Sequence, residues 1–437
     1  MKEIETKKWI IENFDQEKIN IISKKLNISE LESQILESKD FNEKNIETYK
    51  LFLKPPESFL FDTDKLSSPI ELNAALNRIK KAINDKERIL IHGDADADGI
   101  CGTSILVTSL RQLGLNISFD FPIRAIEGHG IQVRIIEKAK KEKINLIITT
   151  DCGSKDKEAV EYAKKNNIDI IITDHHQITL KEKPNALAVI NPYLVQEKHA
   201  MQSLSGASIA LKFIILLYKS INKELPESLM DTLLIFATLG TISDRVPVIN
   251  LTNRLIIQKG IQALIKTKKE GIIALKKICH NQKEKFNARN LPRNIIPRLN
   301  APGRIGNPHE GIPDSNIVVD LLLIGKGEKN KKKASEVIKK FEKVLNLNQI
   351  INSKKEALET AIDIDHINEK RKFITSKIED DIQKILTDNP EILEKKIIII
   401  KGSYWNSGVI GIDCDRVKEQ YSKPTIIVTN TKDNNLR

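Results

Sequence analysis

Arg88-Ile89-Leu90-Ile91-His92-Gly93-Asp94-Ala95-Asp96-Ala97-Asp98-Gly99 is the stretch on which the reading of this chain turns. A short apolar run from Arg88 to His92 gives way at once to three aspartates at alternate positions, closed by a glycine and followed by a helical pattern. The apolar run has the length and the Ile-rich character of a buried strand. Outward from it, similar runs recur at Asn145 to Thr149, Asp169 to Thr173 and Ala186 to Ile190, and helix patterns from Glu71 onward separate them. Strands spaced by helices imply βαβ units and a parallel sheet. The runs are apolar throughout, as strands covered by helices on both faces are. The predicted fold class is therefore α/β, a parallel-sheet domain with flanking helices. Polar residues gather at the C-terminal ends of the runs, which is the edge where open α/β sheets bind ligands.

Three carboxylates in one short loop repel one another, and a divalent cation is their natural companion. An EF-hand loop is the obvious rival, since Asp94, Asp96, Asp98 and Gly99 fit its opening. Its closing bidentate glutamate would fall on Ile105, however, and a strand rather than a helix precedes the loop. Further polar clusters follow: Thr149-Thr150-Asp151-Cys152-Gly153-Ser154, Thr173-Asp174-His175-His176, and Gly240-Thr241-Ile242-Ser243-Asp244-Arg245-Val246-Pro247, the last expected as a loop after a helix. Taken singly, Asp151 reads equally well as a helix N-cap and either histidine as a satisfied loop residue. Together, Asp and His groups from separate loops can surround two ions, and the mixed oxygen and imidazole set suits Mn²⁺ or Mg²⁺ better than zinc. Two cations about 3.5–4 Å apart activate a water and stabilise a pentacoordinate phosphorus, so phosphoester or phosphoanhydride hydrolysis is the reaction class.

A chain of 437 residues is too long for one ordinary core. Residues 1–70 read as a helical N-terminal segment, with Ile19, Ile22 and Leu26 at helical spacing and a loop at Pro55 and Pro56; the sheet domain spans 71–329. Helical patterns fill Ser203 to Ala237, broken near Pro226, and Leu251 to Cys279. Residues 330–377 form a charged connecting helix with Ile338, Phe341, Val344, Leu345 and Ile350 near a helical period. Residues 378–437 begin a second, smaller α/β unit: a strand at Lys396 to Ile400, a helix from about Ile410 and a strand at Thr425 to Val428. So few elements can hardly close a core, and the chain reads as a fragment or truncated frame. Lys and Arg total 70 against 59 acidic residues, a formal charge of +11 that favours a polyanionic partner, although a lysine-rich solvated surface explains it as well. Cys101, Cys152, Cys279 and Cys414 lie far apart without a CxxC pair, nothing at the N-terminus reads as a signal peptide, and no apolar run approaches the ~20 residues of a bilayer span. A soluble protein of the cytoplasm, without a membrane partner, is expected.

In order and wording these motifs resemble the DHH phosphoesterase superfamily, whose signature here reads Asp174-His175-His176, over about 85–428. HGDADADG, TTDCGS, ITDHH and GTISDRVP look like the RecJ-type exonuclease versions. So do IPRLNAPGR (Ile296 to Arg304) and Trp405-Asn406-Ser407-Gly408-Val409-Ile410-Gly411-Ile412. The resemblance implies metal-dependent 5′-to-3′ hydrolysis of single-stranded DNA to mononucleotides in repair and recombination, with two divalent cations, Mn²⁺ or Mg²⁺. It implies single-stranded DNA as partner, with a single-strand-binding protein and a recombination helicase as protein partners. Asp96, Asp98, Asp151, His175 and Asp244 would ligate metal, Asp151 as the bridge, with His92 as a further ligand and Asp94 as a catalytic member of the same site. His176 would contact the phosphate or the attacking water, and Asp174 would orient a neighbour. Arg124, followed by Gly128 and Gly130, resembles a phosphate-contacting loop; Arg298, Asn300 and Arg304 would grip the strand. Trp405 is the candidate stacking platform, with inter-domain packing as its other reading. RecJ-like chains continue with a GGHxxAxG segment and an oligonucleotide-binding barrel, neither of which is present here. Alternatives are a DHH hydrolase of short oligonucleotides or cyclic dinucleotides, and a weakly active nucleic-acid-binding scaffold.

Overall fold

The computed structural model describes residues 13–41, 43–279, 286–325 and 352–430. Five parallel strands form the central sheet: β1 (Arg88–Gly93), β2 (Asn116–Asp120), β3 (Leu146–Thr150), β4 (Asp169–Thr173) and β5 (Ala188–Ile190), in the order β2-β1-β3-β4-β5. Alternation along the strands divides the core. Ile89, Ile91, Ile148 and Ile171 face the helices Pro69–Asn84, Ala97–Gln112 and Gly206–Ser220. Leu90, Ile147, Ile170 and Ile172 face the helices Val133–Lys141 and Lys157–Lys165. Both faces are covered, which is what the uninterrupted apolar runs require. The strand β2 has no such run, since Asn116, Ser118 and Asp120 alternate with Ile117 and Phe119 at the sheet edge, and the sequence pattern alone passes over it. The last strand starts at Ala188 rather than Ala186.

The order reverses between β1 and β3, where neighbouring connections leave in opposite directions and open a crevice at the C-terminal edge. Two helices, Glu227–Ser243 and Leu251–Lys266, stack beyond Gly206–Ser220. The N-terminal segment contributes short helices, the first at Gln16–Leu26 with Ile19 and Ile22 buried. It is fastened by Lys212, wholly buried on the Gly206–Ser220 helix, whose ammonium donates to the carbonyl oxygens of Phe59 at 2.7 Å, Leu60 at 3.2 Å and Asp62 at 2.6 Å. Among the described residues no helix is long and apolar enough to cross a membrane.

Of the connecting helix, the part carrying Ile338 to Ile350 lies outside the described residues. The described part, Asn352–Asp388, runs past Lys377 and packs against the helices Glu270–Cys279 and Ile295–Ile305. Beyond it β6 (Ile398–Gly402) and β7 (Thr425–Thr429) pair in parallel around the helix Ile410–Tyr421. This small unit gains a core by borrowing: Ile378, Ile382 and Leu386 of the long helix and Ala301 and Ile305 of the Ile295–Ile305 helix join Ile398, Ile400 and Val409.

Replacing Lys212 with Met keeps the stem but leaves its three carbonyl acceptors without the buried donor. The expected loss is roughly 1–3 kcal/mol, seen as a lower urea midpoint at unchanged slope. An unchanged midpoint would show that the ammonium does not hold the N-terminal segment.

Candidate metal centre

Sheet register lines up the site. Gly93 pairs with Thr150, Thr150 with Thr173, and Thr173 with Ile190. The next residue on each strand therefore falls in one row, Asp94, Asp151, Asp174 and Asn191. Their amides extend the ladder, Asp94 to the Thr150 carbonyl at 3.2 Å, Asp151 to Thr173 at 2.9 Å and Asp174 to Ile190 at 3.0 Å. Three carboxylates are thus fixed at the crevice by backbone pairing alone.

The first acidic loop splits its carboxylates between different partners. Asp96 caps the helix Ala97–Gln112, accepting from the amides of Asp98 at 3.0 Å and Gly99 at 3.3 Å. Asp98, buried one turn in, turns to another helix and accepts from the amides of Gly206 at 2.6 Å and Ala207 at 3.0 Å. The N-terminal dipole of that helix complements its charge. Asp94 takes the amide of Ala95 at 2.9 Å and an ion pair from Arg124, which also reaches Asp96 at 3.1 Å. An EF-hand loop would aim these carboxylates at a single ion, so their divergence removes that alternative.

Asp151 follows β3 in a left-handed conformation, φ 61°, which aspartate tolerates at some strain. Its Oδ1 is buried, makes no hydrogen bond, and lies 3.1 Å from His175 Nε2. His175 also approaches Asp98 at 3.9 Å and, through Nδ1, Asp244 at 3.8 Å. Asp174 points elsewhere: it accepts from the amides of His175 at 2.7 Å and His176 at 3.2 Å, from His176 Nδ1 at 2.8 Å and from the Ser154 amide at 3.1 Å. It holds the histidine pair in place. Three groups could each hold an ion: Asp94, Asp96 and Asp151; Asp151, His175 and His176; Asp98, His175 and Asp244, with donor atoms within 4.8 Å of one another in each. Asp151 belongs to two of them and His175 to two. The fit to divalent cations rests on Asp151 Oδ1, a buried acceptor without a donor amid further carboxylates.

Electrostatics agree with this layout. Burial, reinforced by Asp98, Asp96 and Asp94, pushes the Asp151 carboxyl well above the ordinary range. Asp98 is pushed up to about 6 by burial, which His175 only partly offsets. Burial also acts on Asp174, yet the hydrogen bond and charge of His176 outweigh it and hold the carboxyl at about 2. The same hydrogen bond from Asp174 raises the His176 imidazole. Asp94, despite burial, is held well below its usual value by His129 and Arg124.

Several expected residues are placed differently. His92 is fully buried with Nδ1 and Nε2 each 3.1 Å from a backbone carbonyl, those of Asp120 and Gly130, so neither nitrogen faces the ligand groups. This corrects its assignment as a metal ligand. Trp405 is likewise no open platform: its ring packs in the second unit's core, 9% exposed, and Nε1 donates to Asp381 at 3.0 Å. Arg298 is paired with Asp365 at 2.7 Å. Asn300 accepts the Ala97 amide at 2.8 Å and so pins the acidic loop. Arg304 donates to the Gly408 carbonyl at 3.2 Å. Residues 240–243, expected in a loop, complete the helix Glu227–Ser243, and Asp244 is its C-cap. Gly240 allows this, since a Cβ there would collide with Asp98 Oδ1. Sequence reading missed Ser205-Gly206-Ala207, the anchor of Asp98. Ser205 caps its helix, and a Cβ on Gly206 would lie 2.6 Å from Asp151 Cβ. The Ser-Gly pair opening a helix was the available signal.

Residues 88–238 match the model of the DHH family, N-terminal domain. The sheet, its crevice and the acidic row all fall within that stretch or at its margin. Over most of its length the chain is similar to RecJ-type proteins. It is 29% identical over 421 residues to the single-stranded-DNA-specific exonuclease RecJ of Bacillus subtilis, covering 96% of this chain and 47% of that protein. It is 31% identical over 366 residues to the protein of that name from Haemophilus influenzae, covering 81% and 57%. The chain thus spans about half the length of these relatives. In fold it is similar to the crystal structure of exonuclease RecJ bound to manganese, TM-score 0.65 at 24% identity, over 84% of this chain and 82% of that one. RecJ from Thermus thermophilus in complex with Mn²⁺ gives 0.68 at 21% identity, over 95% and 52%.

If Asp151 is an uncompensated ligand position, Asp151→Asn should melt several degrees higher than wild type in chelator, since a difference of about 1 kcal/mol shifts a domain of this size by roughly 2–4 °C. The same variant should lose the upward shift that Mn²⁺ gives wild type. A lower melting point in chelator would assign Asp151 to the scaffold instead. For His176, the raised folded pKa means stability gained below its ordinary 6.5 and lost as pH rises through the folded value. Asp174→Asn should lower the His176 titration followed by NMR in metal-free protein; an unmoved titration would remove Asp174 as its cause.

Proposed function

We propose that this chain is the catalytic core of a metal-dependent exonuclease that removes mononucleotides from the 5′ end of single-stranded DNA. The observation that carries the reading is the buried, donorless Oδ1 of Asp151, set where two of the three ligand groups meet. The names of the relatives and the manganese in two of the similar structures support it. Polarity follows the family resemblance.

Asp94, Asp96, Asp98, Asp151, His175 and Asp244 would hold two divalent cations, Mn²⁺ or Mg²⁺. When bound, these supply Lewis acidity and a water acidic enough to attack phosphorus. The protein's own contribution is orientation and charge. The Gly206 and Ala207 amides fix both oxygens of Asp98, and the sheet ladder fixes the backbone of Asp151. Asp174 favours the charged form of His176 and turns it by Nδ1, and in that form Nε2–H would donate to a phosphate oxygen. Arg124, beside Asp94 and Asp96, lies where a guanidinium can meet the same phosphate. Arg304 extends that positive charge toward the second unit.

The test is release of mononucleotides with Mn²⁺ from 5′- and 3′-labelled single strands and from the matching duplex. Loss of the 5′ label one nucleotide at a time, sparing the duplex and reduced at least about a thousandfold in Asp151→Ala, is the expected result. Release from the 3′ label first would overturn the polarity, and intact DNA beside Mn²⁺-bound protein would overturn the substrate.

A further inference from the structure

His92, which is no metal ligand, has a place of its own in the fold. Strand β1 carries it two residues before Asp94, and the pleat turns its ring to the face that Leu90 presents to the helices Val133–Lys141 and Lys157–Lys165. The ring is wholly buried, with Nδ1 3.1 Å from the carbonyl oxygen of Asp120 and Nε2 3.1 Å from that of Gly130. Those two residues are the feet of one loop. The chain leaves β2 at Asp120, carries Arg124 and His129 past the acidic row, and comes back at Gly130 before entering the helix Val133–Lys141. The His92 ring therefore spans the gap between the feet.

The crown of this loop meets the extension of the same strand. Arg124 is paired with Asp94, with Nε 3.3 Å from its Oδ1, and reaches Asp96 at 3.1 Å, while His129 Nδ1 lies 3.6 Å from Asp94 Oδ1. Feet and crown are thus both set by the short stretch His92 to Asp96. The returning foot admits little variation. Gly130 has φ 82°, a Cβ there would lie 2.5 Å from Asp156 Oδ2, and the next amide, that of Ile131, donates to the same oxygen at 2.7 Å. Arg134 ties the loop from outside, donating to the Phe121 carbonyl at 2.8 Å and pairing with Glu127 at 2.6 Å, but its side chain is partly exposed. His92 supports the loop from beneath. A neutral imidazole carries one N–H, so one foot is held by a hydrogen bond and the other by contact with the ring. Gln132 Nε2 supplies a further donor to the Gly130 carbonyl at 3.1 Å.

We propose that His92 is a positioning residue: it braces the loop between Asp120 and Gly130 and so sets Arg124 and His129 against the acidic row, where they take a phosphate of the strand. The proposal rests on the exonuclease reading above. It gives the histidine beside the aspartates a task other than binding metal. Asp94, Asp151 and Asp174 are fixed by the backbone ladder of the sheet, which does not need the ring. Residues 121–131 lie beyond the strands and have no such ladder. Loss of the ring nitrogens should therefore separate the two functions, leaving metal binding intact and weakening the hold on substrate.

The experiment compares wild type, His92→Phe and His92→Gln by hydrogen exchange of peptides spanning residues 121–131, by melting point in chelator and with Mn²⁺, and by KM and kcat for Mn²⁺-dependent hydrolysis of a 5′-phosphorylated oligothymidylate. His92→Phe keeps a ring without its nitrogens. Expected for it are loop exchange about tenfold faster, an upward melting shift with Mn²⁺ equal to that of wild type, and a KM about tenfold higher at near-wild-type kcat. His92→Gln restores a donor and should recover part of the exchange protection and part of KM. Should His92→Phe not fold, His92→Leu, which continues the apolar run of β1, makes the same test. Loss of the Mn²⁺ shift would make His92 a ligand and overturn the brace. A lower melting point with loop exchange unchanged would make it a core residue alone and overturn it equally. Faster exchange at unchanged KM, with active wild type, would overturn the loop's part in holding substrate and leave the exonuclease reading standing. Wild type inactive on every single strand would overturn the exonuclease reading and the phosphate role with it, while loop exchange and the Mn²⁺ shift still decide the brace.

Discussion

Carboxylates of like charge, buried side by side, are the constraint around which this protein is arranged. At about 4 Å in a medium of effective dielectric about 20, two unit charges interact by on the order of 4 kcal/mol, so a cluster of aspartates must be compensated locally or titrate. Each member has a different remedy. Asp98 lies at a helix N-terminus, Asp94 and Asp96 have Arg124, and Asp174 has His176 with three amides. Asp151 has none. Its left-handed backbone and close packing against Gly206 hold it in that exposed electrostatic position, which makes it the place where an external cation gains most.

The compensation explains why helices from distant parts of the chain converge here. The Gly206–Ser220 helix is aimed at the acidic loop by its own N-terminus, and the Glu227–Ser243 helix can reach Asp98 only because Gly240 lacks a side chain. Packing and charge are therefore satisfied by the same elements. A change that loosened these helices would also release Asp98, so the stability of the core and the geometry of the site are linked.

What was legible in the sequence follows from range. The strands announce themselves through local apolar runs, and the acidic row through its position just after them, because one strand's end needs no knowledge of another. β2 was not legible: an edge strand with alternating polar residues resembles a loop until its neighbour is known. His92 sits beside the aspartates in sequence but turns the other way, because the strand pleat sends its ring toward the Asp120 and Gly130 carbonyls. Trp405 could not be assigned for a similar reason: its ring is covered by the long helix and by Gly402, contacts that depend on tertiary packing.

The borrowed core of the second unit bears on how substrate can be held. Ala301 and Ile305 of the Ile295–Ile305 helix, with Ile378, Ile382 and Leu386 of the long helix, complete a core that β6, β7 and one helix could not enclose alone. The helix that pins the acidic loop through Asn300 is thus the helix that supports the second unit, and Arg304 stands between them. A rigid shared element fixes the spacing from metal ligands to that guanidinium. Phosphate groups along a single strand repeat at a set interval, so on the proposed exonuclease reading fixed spacing of this kind would select how the strand enters without reading its bases.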